Sequence, residues 1–290
     1  MADDSTRLAA LQTGQVDIAY RMLGPTVTAA LADPKLKVVA ASGEIPMVID
    51  FVDMWDAKSP WADARVREAA SLAIDRAAIQ KSFYSSLGKL RGSPVAQALQ
   101  FTAAYSPTKY DPEQAKNLLK QAGVNAGDIK VTINTQTIYV NQAQAVAGYW
   151  KAVGIDATIN AQDVTPFYNA WAAKTLKGVV MFSHTGAGSA ALVLPNFYGV
   201  GGQYSYMQSG ALPEVDALWK QQAAELEETK RVDQLKKIQQ IFHDQYLYTN
   251  VFTNVSLLGV GPRVANPDEV ANRPGDFFVG PLQYIQLKAQ

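Results

Sequence analysis

Cysteine is absent from this chain, which excludes disulfides, thiolate metal sites and a cysteine nucleophile. The absence suits an oxidising compartment such as the bacterial periplasm, where a stray thiol is a liability, though cytosolic proteins can lack cysteine too. Histidine is scarce as well, limited to His184 and His243. Long apolar runs are missing: the longest, such as residues 178–183 and 255–260, fall far short of the about 20 residues a membrane helix needs. The opening Met1-Ala2-Asp3-Asp4 is acidic and lacks an apolar h-region, so no signal peptide is expected within this sequence. Net charge is missing too, because 26 Lys and Arg balance 26 Asp and Glu. A surface of that kind gives no electrostatic pull toward nucleic acid or an anionic membrane.

What is present is ordinary for a folded protein. The 290 residues are 48% apolar and 18% charged, enough for one large domain or two modest ones. Helical and strand patterns alternate. Residues 7–13 read as a helix stopped by Gly14, and 15–20, 36–40 and 46–51 as strands. Asp63 can cap a helix carrying Val66, Ala69, Ala70, Ala73 and Ile74 on one face, and Asp75 a second from 76 to 86, with Gly88 as its stop. Asp111-Pro112 is a clear helix start, and Gly123 the matching stop. Residues 129–135, 141–153 and 155–160 read as strand, helix and strand, which implies a parallel pair. A helix at 164–174 and a strand at 178–182 suggest a second crossover.

Residues 183–212, rich in Gly, Ser and Tyr, show no sustained period and are expected to be irregular and functional. Helices at 213–226 and 230–246, a strand at 248–258, a proline-bearing loop at 261–276 and a last strand near 283–287 complete the chain. The whole is mixed α/β. Strands at both ends flank a long middle block, so the ends are expected to form one lobe and the middle another.

Catalytic constellations are scarce. His243 falls in a helical stretch, where a surface or core role suffices. His184 follows a strand directly and is the better site candidate. Neither has the spacing of a metal motif. Gly186-Ala187-Gly188-Ser189 is glycine-rich like a phosphate loop but lacks the Gly-Lys-Ser/Thr ending. Acidic residues such as Glu225, Glu227 and Glu228 sit at the spacings of solvated helix faces. No residue is nominated as catalytic or metal-ligating, no cofactor is expected, and the chain is read as no enzyme. Aromatics are more informative. Phe167, Tyr168 and Trp171 read as helix core, whereas Tyr198, Tyr204 and Tyr206 sit among glycines in an expected loop. Rigid rings with a polar tip suit a pocket for a small organic molecule.

Several segments together resemble the extracellular solute-binding proteins of family 5, the peptide and nickel type that serve ABC importers. They are Arg7-Leu8-Ala9-Ala10-Leu11-Gln12-Thr13-Gly14-Gln15-Val16-Asp17, then Ser59-Pro60-Trp61-Ala62-Asp63-Ala64-Arg65-Val66-Arg67-Glu68-Ala69 running on to Asp75-Arg76, then Tyr110-Asp111-Pro112-Glu113, and Gly154-Ile155-Asp156. The resemblance implies a periplasmic-binding-protein-like clamshell (type II, cluster C) that closes on its solute by a hinge. Residues 1–50 and 249–290 would belong to lobe I, and 51–248 would form lobe II. It implies a periplasmic monomer whose partners are a small-molecule solute and the importer's membrane permease. A ligand-sensing domain of a regulatory protein with the same fold is the alternative.

Hinge strands are expected near 48–52 and 246–250. The expected solute contacts are Phe51, Phe182, His184, Tyr198, Tyr204, Tyr206 and Tyr248. Two departures stand out. The family pattern's long N-terminal portion is not found, so lobe I is expected to be incomplete, with the chain a truncated form. Peptide-binding members carry an aspartate just past a strand-end tryptophan, and here Phe182-Ser183-His184-Thr185-Gly186 offers an aromatic without an acid. A buried ammonium without a carboxylate is costly, so free-amine peptides are not the expected solute.

Overall fold

The structure, a computed structural model, describes residues 3–20, 22–85, 87, 89–183, 189–270 and 282–288, with 41–44 and 282 known by backbone alone. The chain divides into two compact units. One comprises Met1–Ile45, Ala77–Leu90 and Thr253–Gln290, the other Pro46–Arg76 and Arg91–Phe252.

In the first unit, α1 (Asp4–Gln12) begins where the Asp3 carboxylate accepts the Thr6 N–H, a side-chain N-cap. Strand β1 (Ile18–Ala19) pairs antiparallel with the far end of β6 (Tyr248–Val260), Ile18 opposite Val260. Helix α2 (Pro25–Ala32) was not expected, although Pro25 occupies the favoured first helical position. Strand β2 (Lys37–Asp50) is continuous where two strands were expected. Helix α4 (Arg76–Tyr84) lies on β6: the Gln80 amide exchanges hydrogen bonds with Thr253, and the Tyr84 hydroxyl donates to Asn254 at 2.9 Å. Val39, Leu258, Val260, Val264 and Val270 make one small apolar cluster in this unit. The strand expected near 283–287 reduces to a 3-10 turn at Leu282–Tyr284 and a single bridge from Leu287 to Val264.

The second unit is built on parallel strands. Strand β3 (Ile129–Gln136) is flanked by β4 (Ile155–Gln162) and β5 (Val179–Ser183), both parallel to it, and the end of β2 pairs antiparallel with β5. The crossovers are α6 (Val140–Ala152) and α7 (Val164–Ala172), in the order read from the sequence. Side chains reinforce the ladder: the Asn134 amide donates to Lys177 O at 2.7 Å and Val179 O at 3.0 Å, and Thr135 Oγ1 to Met181 O at 2.8 Å. Gly178 starts β5 at φ +84°, and a Cβ there would stand 2.6 Å from Thr132 O, so only glycine fits.

Helix α3 (Ala64–Leu72), capped by Asp63, packs on α5 (Pro112–Gln121), capped by Asp111. Helix α8 (Ala190–Tyr198) corrects the expectation of an irregular 183–212. Its apolar residues bury Ala190, Val193, Leu194 and Phe197 despite Pro195, and that burial outweighs the weak local propensity. Helices α9 (Pro213–Ala224) and α10 (Glu228–Asp244) pack together, and β6 follows, buried throughout.

Candidate functional site

Phe182, Tyr198 and Tyr248 are buried in one apolar cluster and Tyr204 and Tyr206 pack against it, but the expected site residues do not all line one cavity. Phe51, Tyr198, Tyr204 and Tyr206 line a common cavity in the second unit, together with Asp50, Val52, Met54, Trp55, Phe197, Ser205 and Met207. It measures about 20 Å³, room for no more than about one water molecule. Phe182 and Tyr248 do not line it. Phe182 is fully buried, with its ring 4.0 Å from Trp171 edge-on and 5.1 Å from Phe197. Tyr248 is buried beside Tyr198, donating its hydroxyl to Gly92 O at 3.1 Å. His184 lies outside the described residues.

The lining residues come from three stretches: the end of β2 and the turn after it, the end of α8, and the segment that follows α8. Phe51 follows β2, its ring 4.9 Å from Trp61. Tyr198 ends α8 and donates its hydroxyl to Asp50 Oδ1 at 2.6 Å. Burial first, and the Asp50 carboxylate second, push the Tyr198 phenol well above its ordinary pKa. Tyr204 and Tyr206 come from the segment after α8 and are only partly buried. The Tyr204 ring rests 4.8 Å from Trp171, 5.4 Å from Phe197 and 5.6 Å from Tyr168.

Sequence reasoning missed Asp50 and Lys174. Asp50 is a lone acid in the apolar run Met47-Val48-Ile49-Asp50-Phe51-Val52, and only 6% of it is exposed. An acid so placed signals a buried partner, because a lone buried charge is too costly to persist. Lys174 stands over the Tyr206 ring at 5.3 Å from its centroid.

The motif segment 59–76 has another task. Arg67 and Arg76 are buried, 5% and 3% exposed, and both bond to backbone carbonyls. Arg67 donates to Trp61 O at 2.6 Å and through Nη2 to Gln245 O at 2.6 Å, fastening α3 to the turn after α10. Arg76 donates to Asn250 O at 2.7 Å, Ser71 O at 3.0 Å and Thr108 O at 3.2 Å. Burial lowers both guanidinium pKa values to about 10, so both remain charged at neutral pH. These arginines are internal struts. Among the described residues, no group of three or more His, Asp or Glu side chains converges as a metal site would require. No helix among them is long and apolar enough to cross a membrane.

Comparison with known proteins gives this scaffold its kin. The family model of the bacterial extracellular solute-binding proteins, family 5 Middle, matches residues 1–205. The glutathione-binding protein GsiB of Escherichia coli O1:K1 is 29% identical over 196 residues, 60% of this chain and 37% of that protein. This chain therefore spans well under half the length of that curated relative. NikA from Brucella suis, solved in complex with Fe(III)-EDTA, superposes with a TM-score of 0.84 at 18% identity, covering 99% of this chain and 61% of that one. The ABC transporter substrate-binding protein CtaP from Listeria monocytogenes superposes with a TM-score of 0.81 at 17% identity, covering 99% and 59%. The fold is thus that of the periplasmic binding proteins. With a family match across residues 1–205 and that fold, the chain belongs to the bacterial extracellular solute-binding proteins, family 5.

Proposed function

We propose that this chain supplies the solute-capturing part of a periplasmic binding protein that serves the permease of an ABC importer. Capture is non-catalytic: lobe closure buries the solute, and no bond is made or broken. The single observation that carries this is the family match over residues 1–205. The ABC transporter relative favours this function over the regulatory alternative. The first unit is assigned to lobe I and the second to lobe II. Solutes of the peptide or metal-chelate kind fit the relatives' descriptions.

His184 and the partly exposed Tyr204 and Tyr206 are assigned to solute contact. Phe51, Phe182, Tyr198 and Tyr248, buried as they stand, back those contacts and fix their positions. Free-amine peptides remain disfavoured, since Asp50, a carboxylate within the aromatic group, is already engaged by Tyr198. Isothermal titration with a panel of di- and tripeptides, glutathione and metal chelates tests the proposal. At least one non-peptide or blocked-amine solute is expected to bind and be recovered unaltered. Chemical conversion of a solute, or equal micromolar binding of many free dipeptides, would overturn it.

A further inference from the structure

The segment that follows α8, residues 199–212, lies across the aromatic cluster; its backbone N–H groups at Gln203 and Tyr204 donate to Asn196 of α8 at 3.1 and 2.9 Å, and one side chain from outside it, that of Lys174, ties it to the end of α7. Lys174 Nζ donates to Gly202 O at 3.1 Å and Gln203 O at 2.5 Å, and the same ammonium stands over Tyr206. Lys174 holds φ +59° just past the end of α7, where glycine or asparagine is the usual residue. A lysine kept in that conformation points to a task for its side chain. Beyond the latch, Tyr204 inserts its ring among Trp171, Phe197 and Tyr168 at centroid distances of 4.8, 5.4 and 5.6 Å. The backbone lies tight on α8: a Cβ at Gly202 would stand 2.2 Å from Pro195 O. The segment is also a shared wall. Tyr204 and Tyr206 close the 20 Å³ cavity, while Gly199, Val200 and Ser209 border an open groove of about 370 Å³ beside Trp219.

We propose that residues 199–212 form a displaceable strap, latched by Lys174, and that Tyr204 occupies an aromatic slot in place of a planar aromatic ring carried by the solute. The inference rests on the solute-binding function and narrows the solute class. Rings favour offset and edge-on contacts, so an incoming phenol or indole recovers what Tyr204 gives up. The exchange is near balance, and the latch sets the threshold. Burial lowers the Lys174 pKa, in keeping with an ammonium held at a protein wall and not in open water.

The test uses p-cresol as probe, cyclohexanol as non-aromatic control, calorimetry for affinity and amide hydrogen exchange for the strap. p-Cresol should bind and speed exchange of amides in 199–212, whereas cyclohexanol should do neither. Lys174→Met, with Tyr204 retained, should bind p-cresol about tenfold tighter, because less of the population starts latched. Tyr204→Ala should show fast strap exchange without any probe, and this second variant keeps the test decisive if Lys174→Met misfolds. Unchanged affinity in a folded Lys174→Met protein, or a strap still protected in Tyr204→Ala, would overturn the slot. A solute that binds without moving the strap removes the slot and leaves solute capture standing. A strap expelled by p-cresol in a protein that carries no solute of its own does the reverse.

Discussion

The Tyr198–Asp50 pair shows at the scale of one bond how the candidate site is held. A buried carboxylate persists only while a donor meets it, and Tyr198 does so at 2.6 Å from 148 residues away. Tyr198→Phe removes that donor at nearly constant volume and should cost about 1–3 kcal/mol in urea unfolding. A cost near zero would show that the pair holds nothing. Arg76→Met strips donors from several buried carbonyls and should cost about 2–4 kcal/mol, with the same urea measurement as its check. Loss of solute binding in a fully stable Arg76→Met protein would instead place Arg76 in the site. This scale was also the hardest to foresee. The aromatics drew attention because rings among glycines stand out in sequence. Asp50 and Lys174 did not, because their partners are remote in the chain and local spacing carries no trace of them.

At the scale of elements, legibility followed local chemistry. The β3-α6-β4-α7-β5 run was readable because its boundaries carry their own signals, Gly154 before β4 and Gly178 before β5, as Asp111-Pro112 does for α5 ahead of it. Helix α8 was missed because Pro195 and the surrounding glycines lower its local propensity, and its stability comes from burying Val193, Leu194 and Phe197. Strand β2 read as two because Ser42-Gly43 interrupts its β-branched residues, yet the backbone runs through them as a single strand. Where a cap does the work, removing it should show. Asp63→Ala deletes the acceptor of the Arg65 N–H and should lower stability by about 1 kcal/mol. The Arg65 guanidinium, hydrogen-bonded to the Asp63 carboxylate, with the capping N–H as a lesser cause, holds that carboxyl below the usual carboxylate range. The carboxylate's contribution is therefore full above the ordinary aspartate pKa of about 3.9 and lost as pH falls through the lower folded value. Wild-type and Asp63→Ala melting curves should converge in acid, and parallel curves down to the lowest pH would contradict the cap.

At the scale of the whole molecule, buried tyrosines make an alkaline limit. Burial pushes Tyr105, Tyr206 and Tyr246 up to about 12, and Tyr198 and Tyr248 well above 10.0. These phenols ionise more readily in the unfolded chain, so stability is full below pH 10 and falls as pH rises toward 12. Absorbance at 295 nm and melting temperature, followed together from pH 8 to 12, should show a late fraction of the tyrosinate appearing only with unfolding; complete titration of all 13 tyrosines near pH 10 in a still-folded protein would contradict this burial. The central claim is capture without chemistry, and native mass spectrometry of the protein as purified tests it most directly. A non-covalent adduct of one mass, released intact on denaturation and taken up again unaltered on refolding, is the predicted result. A covalent adduct, or a released compound that changes on incubation with the protein, would contradict it.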